Sequence, residues 1–308
     1  MDIIDSLKGI KAPEERAVVE FSRNPLNYFK SSYQAWNSMA GYLQKDVRKI
    51  TGLNNNELQV ADNLYAEALR LIDNLKIDTK DAVSLLRENL SSSSFWGGLY
   101  LTALLNTGCL DELIIEEIYG LSFVGYKLKR GKIIINESVQ FYTGEFANSC
   151  VIENNARLQT SMAHKATGGI FINNGHVLCL GHTVKGGVYI NNGEIKNNMA
   201  AFSSSSVFFN KGIIDGYACP GASDIIFVNK GKIWRKEYRL GIFLEKRELD
   251  NSNIVKPIYP FIDQHLRNLV NALEDAAYCL DEPKTKEIKK EIEPYYKLKY
   301  GEGVISYL

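Results

Sequence analysis

Residues 170–193 read IFINNGHVLCLGHTVKGGVYINNG, and the six letters that open this segment return in similar form 18 positions later. The same six-residue motif occurs six times. It consists of a mostly apolar triplet followed by asparagine, a polar residue and a small residue. Its copies are IIINES at 133–138, VIENNA at 151–156, IFINNG at 170–175, VYINNG at 188–193, VFFNKG at 207–212 and IFVNKG at 226–231. A fixed period of 18 or 19, carried by triplets too short for helices, is typical of stacked coils of strand. We therefore predict a six-coil parallel β-helix over residues 126–236.

One asparagine occurs at the same place in every copy of the repeat. Coils of a parallel β-helix stack about 4.8 Å apart, so amides in equivalent positions can bond the side chains above and below them. Buried amides need such partners. We predict a structural asparagine ladder rather than a sugar-binding row, formed by Asn136, Asn154, Asn173, Asn191, Asn210 and Asn229.

The apolar triplets also predict which side chains face outward. Because side chains alternate along a strand, we expect the first and third residues of each triplet to point inward and the middle residue outward. In four triplets the middle residue is aromatic: Phe171, Tyr189, Phe208 and Phe227. Such a row is either covered by the chain's own helices or offered as an interface to a partner or a second copy.

The segments on either side of the repeat are predicted to be mainly helical, which makes the chain α+β. Residues 1–125 form an α-helical domain and residues 237–308 a strand followed by helices. Apolar stripes at helical spacing or long apolar runs predict helices at 28–47, 56–74, 78–90, 95–105, 262–280 and 284–299, while strand-like segments lie at 110–115 and 239–248. The exposed end of a solenoid must be covered, and we expect the N-terminal helices to lie over that end or along one side.

Composition excludes several classes of function. Lys+Arg and Asp+Glu both number 36 in the 308 residues, so no overall attraction to nucleic acid or anionic membrane is expected. The acidic start MDIID is unlike a secretory leader, and the apolar run at 95–105 is shorter than the roughly 18 residues of a membrane span. Five scattered cysteines with no C-x-x-C pair predict neither a disulfide framework nor a zinc knuckle. We expect a cytoplasmic protein.

The repeat carries a family resemblance. Small residues recur seven places after the closing residue, as at Ala163, Ala200 and Cys219, and paired small residues such as Gly186 and Gly187 open the next strand. Residues 131–235 therefore resemble the GXGXG β-helix domain, which is found in formylmethanofuran dehydrogenase and in the large subunit of glutamate synthase. The resemblance implies a right-handed β-helix with a role in structure and assembly, and it carries over no catalytic residue. We expect a non-catalytic, protein-binding or assembly protein without a cofactor, whose partner is another protein or a second copy.

An enzyme is the alternative, and it depends on two histidines. His164 and His182 each stand four residues before a Gly-Gly-apolar strand start, so the repeat stacks them one coil apart. Two imidazoles so placed can share a metal such as zinc or iron, which would suit a metal-dependent hydratase or an acyltransferase-like enzyme.

A second spacing bears on the same alternative. Glycines six residues apart from 169 to 193 resemble the left-handed hexapeptide helices of acyltransferases and γ-class carbonic anhydrases, which use histidine as base or zinc ligand. The coils of 19 residues, however, are not a multiple of six, so they do not fit the hexapeptide period. The sequence contains no phosphate-binding loop, no G-x-S-x-G elbow and no H-E-x-x-H motif.

Overall fold

The computed structural model describes residues 30–40, 55–72, 95–116, 120–236, 242–245 and 264–297. Within them the chain forms a parallel β-solenoid with helices before and after it, so the predicted α+β class and β-helix are confirmed. The strands are β1 (Glu112–Ile115), β2 (Lys132–Ile135), β3 (Val151–Asn154), β4 (Ile170–Asn173), β5 (His176–Val177), β6 (Val188–Asn191), β7 (Glu194–Ile195), β8 (Asn198–Met199), β9 (Ser204–Asn210), β10 (Ile213–Ala218), β11 (Ser223–Asn229), β12 (Lys232–Lys236) and β13 (Ile242–Glu245).

These strands form two sheets that run along the solenoid. The long sheet has the order β1-β2-β3-β4-β6-β9-β11-β13, and the short sheet has the order β12-β10-β7-β5, with β8 paired to β10. All six predicted triplets lie in the long sheet, where Ile170 pairs with Val188 and Val188 with Val207. The strand-like segments at 110–115 and 239–248 contain β1 and β13, so the stack extends one strand beyond the repeat at each end.

The predicted direction of the triplet side chains is right for the first triplet, where Ile133 and Ile135 are buried in the solenoid core, and wrong for the other five. Phe171, Tyr189, Phe208 and Phe227 are fully buried in one core with Val177 and Ile195 of the short sheet, which places them inside the solenoid. Neighbouring rings stack in this row, with centroids 5.2 Å apart for Phe171 and Tyr189 and 4.7 Å apart for Tyr189 and Phe208. The aromatic row is therefore the interior of the fold and is not accessible as an interface.

From the second triplet onward, the first and third residues lie on the outer face of the long sheet, where all of them except Glu153 form a separate apolar layer. Two C-terminal helices, α3 (Gln264–Tyr278) and α4 (Glu282–Lys297), cover this face and confirm the helices predicted there. Leu273 of α3 and Ile292 of α4 are fully buried against it. Glu274 of α3 also bonds to Lys230 of the solenoid at 2.6 Å. The chain's own helices therefore cover the long sheet, but they contact the outward residues of the triplets and not the aromatic row.

The N-terminal helices lie at the first end of the solenoid. Helices α1 (Asn55–Ile72) and α2 (Gly97–Asn106) confirm the predictions at 56–74 and 95–105, and residues 30–40 are also helical. Their buried side chains continue into the solenoid core, and Trp96 stacks on Phe123 with centroids 5.0 Å apart. The helix predicted at 78–90 lies outside the described residues. No helix in the described part of the chain is long and apolar enough to cross a membrane.

The asparagine ladder is present, with one correction. Each amide nitrogen donates to the next amide oxygen at 2.8 Å along a buried column of five residues: Asn154, Asn173, Asn191, Asn210 and Asn229. Asn136 is not part of this column, because Ile135 pairs with Asn154. It belongs instead to an exposed column, in which Asn155 donates to Asn136 and Asn174 to Asn155. The first copy of the repeat therefore aligns one residue earlier than predicted.

Candidate functional site: the histidine corner

A tight turn recurs in successive coils and positions the two histidines. It spans three residues, of which the first and third have left-handed φ angles. The first residues are Gly125, Gly144, Ala163, Gly181, Ala200 and Cys219, with φ between 57° and 75°. This conformation favours residues with little or no side chain. The turn also leaves little room for a larger side chain at its first position, since a Cβ on Gly181 would lie 2.6 Å from Phe208. These two constraints explain the small residues seven places after the closing residue.

The middle residues of these turns stack into a row that we call the histidine corner: Tyr126, Glu145, His164, His182, Ala201 and Pro220. Backbone bonds fix the stacking, since the N–H of Phe146 donates to the carbonyl of His164 and that of Lys165 to the carbonyl of His182. The rings of His164 and His182 lie edge to face, with centroids 5.2 Å apart. The structure thus brings together the two histidines that the sequence singled out.

Glu145 is the residue of this site that the sequence reasoning missed. Its Oε1 lies 3.1 Å from Nδ1 of His164, and its side chain is 1% exposed. The other carboxylate oxygen, Oε2, is buried without a hydrogen-bond partner. The sequence analysis aligned the first copy of the repeat one residue too late, so Glu145 was not recognised as a member of the row. Once Glu137 is taken as the closing position, Gly144 falls seven places later and Glu145 stands directly before His164 in the row.

The surroundings of His182 favour its neutral form. Burial lowers the pKa of His182, and the nearby charges of His164 and Lys165 lower it further. Nδ1 of His182 lies 2.7 Å from Oγ1 of Thr183, and the centroids of the His182 and Phe202 rings are 5.7 Å apart. An imidazole that is neutral at pH 7 can accept a proton or bind a metal ion.

The corner also joins the solenoid to the N-terminal helices. The hydroxyl of Tyr126 donates to Oδ1 of Asp62 on α1 at 2.8 Å, and Lys127 forms an ion pair with the same carboxylate. Burial, followed by the hydrogen bond to Asp62, raises the pKa of Tyr126 above its ordinary value. One ammonium group beside the histidines, that of Lys165, lies over the ring of Phe146 at 5.3 Å. The histidine corner therefore carries a cationic side chain, Lys165, beside the rings and a buried carboxylate, Glu145, behind them.

The outer face of the short sheet is the second candidate surface. Its strands alternate between buried and exposed residues, as β10 does. Three large apolar side chains are exposed on neighbouring strands of this face: Ile213 at 41%, Tyr217 at 38% and Trp234 at 73%. Lys196 forms ion pairs with Glu194 and Asp215 on adjacent strands. This face thus combines aromatic side chains with charges of both signs.

Within the described residues, candidate metal ligands do not gather in groups larger than a pair. In the described ranges, no group of three or more His, Cys, Asp or Glu side chains is arranged to hold a metal ion. All five cysteines are free, and four of them are buried. Comparison of the chain with protein-family models, with curated proteins and with solved structures finds no significant match.

Proposed function

We propose that this protein is a binding and assembly protein whose solenoid offers the outer face of the short sheet to a second copy of the chain. The observation that carries the proposal is the contrast between the two outer faces. Helices α3 and α4 cover the apolar face of the long sheet. On the short sheet, Ile213 and Trp234 remain in solvent. Large apolar side chains grouped on a surface are typical of interaction sites.

The composition of the short-sheet face suits a symmetric contact. A two-fold interface brings the same surface together with itself, so it must be self-complementary. Glu194, Lys196, Asp215 and Lys232 place both signs of charge on adjacent strands around the apolar residues. Tryptophan and tyrosine are also the residues that contribute most strongly at the centres of interfaces. The GXGXG resemblance agrees with this proposal, since it implies a structural and assembly role.

The mass of the protein in solution tests the proposal. We expect light scattering to give a dimer for the wild type and a monomer for Trp234→Glu, because a carboxylate cannot be buried at the centre of the contact without a partner. The matched control is Phe202→Glu, which changes an equally accessible aromatic residue, 63% exposed, at the histidine corner. This control should remain a dimer. A wild type that stays monomeric at high micromolar concentration contradicts the proposal.

A second candidate function is metal-dependent chemistry of the hydratase or acyltransferase type, with zinc or iron. The observation that favours it is the contact between Glu145 and His164. A buried carboxylate that orients a histidine and stabilises its protonated form is a recurring device of general bases. Hydrolysis of an activated ester by zinc-loaded protein tests this function. We expect a clear loss of rate in His164→Gln, and equal rates in the two proteins would exclude the function.

A further inference from the structure

We propose that His164 and His182 bind one divalent transition-metal ion of the zinc class, and that Glu145 is the positioning residue for this site. The proposal concerns binding alone, and it holds whether or not the short sheet mediates assembly. Three observations support it: the nitrogen atoms that remain available, the separation of the rings, and the buried charge behind them.

The hydrogen bonds of the two rings leave the same nitrogen for a metal. Nδ1 of His164 faces the carboxylate of Glu145, and Nδ1 of His182 faces the hydroxyl of Thr183. In each ring Nε2 is therefore the atom left for coordination. Histidines that bind metals generally have their other ring nitrogen held by a carboxylate, a carbonyl or water, which fixes the ring's orientation. Glu145 supplies such a partner for His164.

The separation of the rings agrees with one shared ion. Zinc binds imidazole nitrogen at about 2.0–2.1 Å in tetrahedral geometry. Each ring centroid then lies about 3.2 Å from the ion, and a bond angle near 109° places the two centroids about 5 Å apart. The observed separation of the His164 and His182 centroids is 5.2 Å. The spacing of the two rings therefore allows one shared ion, and water would complete its coordination, as in sites with open positions.

The buried carboxylate gives the site its charge balance. Glu145 is 1% exposed, and its Oε2 has no hydrogen-bond partner. Burial of a charge is costly unless a positive group compensates it. The ammonium of Lys165 lies over the Phe146 ring. A cation held by His164 lies one ring away from the carboxylate, which both stabilises the buried charge and strengthens the histidine as a ligand.

Equilibrium dialysis of the full-length chain against Zn²⁺, with metal measured by mass spectrometry, tests the proposal. We expect one Zn²⁺ per chain for the wild type and loss of binding in His164→Ala and in His182→Ala. Glu145→Gln keeps the shape of the side chain but removes its charge, so we expect zinc affinity to fall by about 10- to 100-fold. Thermal unfolding of each variant by circular dichroism, in the absence of metal, establishes that it is folded.

His176→Ala is the matched control, because His176 lies in the same solenoid but in β5, in register with Arg157 and Glu194. It should bind zinc as the wild type does. Three outcomes overturn the proposal: no zinc in the wild type, undiminished zinc in folded His164→Ala or His182→Ala, or an equal loss in His176→Ala. A Glu145→Gln variant that binds zinc as tightly as the wild type removes Glu145 from the site.

Discussion

The two sheets of the solenoid are built from the same coils, yet their outer faces differ. Strand β4 of the long sheet is buried at all four positions, whereas β10 of the short sheet alternates between exposed and buried residues. Continuous apolar strands need cover on both sides, and alternating strands face water on one side. The C-terminal helices supply that cover for the long sheet. The comparison shows that one outer face contributes to the stability of the fold, whereas the other is the face that we propose for interaction.

The largest expected effect comes from the interior that the two sheets share. Phe208→Glu places a charge in the fully buried aromatic row. Loss of a buried phenylalanine alone costs about 3–5 kcal/mol, and a buried unpaired charge adds to this. We expect no folded, soluble protein. Phe202→Glu, at a residue that is 63% exposed, should give wild-type circular dichroism. A folded Phe208→Glu variant would show that this ring does not lie inside the solenoid.

A pair of isoleucines compares the two outer faces directly. Ile190 is fully buried beneath the C-terminal helices, and Ile213 is 41% exposed on the short sheet. Ile190→Ala should lower the free energy of unfolding by about 2–5 kcal/mol, and Ile213→Ala by less than about 1 kcal/mol. Denaturant unfolding of the two variants measures both values. Equal losses would mean that the two faces are covered alike.

Consecutive asparagines provide a smaller test at the edge of the long sheet. Asn173 belongs to the buried ladder, while Asn174 belongs to the exposed column beside it. Asn173→Ala leaves buried amides without partners, at about 1–3 kcal/mol. Asn174→Ala should cost less than about 0.5 kcal/mol, because water replaces its bonds. The same denaturant series reports both, and a larger loss in Asn174→Ala would contradict the assignment of the buried column.

The smallest effect concerns the polar contact that helps to attach α3. Burial raises the pKa of Glu274, but the hydrogen bonds from Lys211 and Lys230 outweigh burial, and the net pKa lies below its ordinary value of 4.5. The ionised side chain therefore stabilises the fold fully above pH 4.5, and this contribution is lost as pH falls through the lowered value. Glu274→Gln should be less stable at neutral pH, and its difference from the wild type should shrink in acid. A constant difference across the acid range would exclude this linkage.

Much of the fold can be predicted from the sequence because each coil is specified by residues that are close together in the chain. The period, the triplets and the asparagines specify parallel strands, and apolar stripes specify helices such as α1 and α3. Which face of the solenoid each helix covers depends on contacts between distant segments. That information is not contained in any single stripe.

The direction in which the triplet side chains point could nevertheless have been predicted from the sequence. The ladder asparagine follows the triplet directly, so it shares its side of the strand with the middle residue, as Asn173 does with Phe171. A buried ladder therefore requires an inward middle residue, and the structure shows both fully buried. Glu145 could also have been predicted as part of the site, since correct alignment of the first repeat places it beside His164. Its unpartnered oxygen could be seen only in three dimensions.

Quenching of tryptophan fluorescence by acrylamide, over a dilution series, tests most directly whether the short sheet is the interaction face. The chain has three tryptophans, of which Trp36 and Trp96 are at most 1% exposed and Trp234 is 73% exposed. Quenching in the monomer should therefore come almost entirely from Trp234. We predict strong quenching in dilute protein and progressive protection as the concentration rises. Quenching that stays equally strong at all concentrations would contradict assembly through this face.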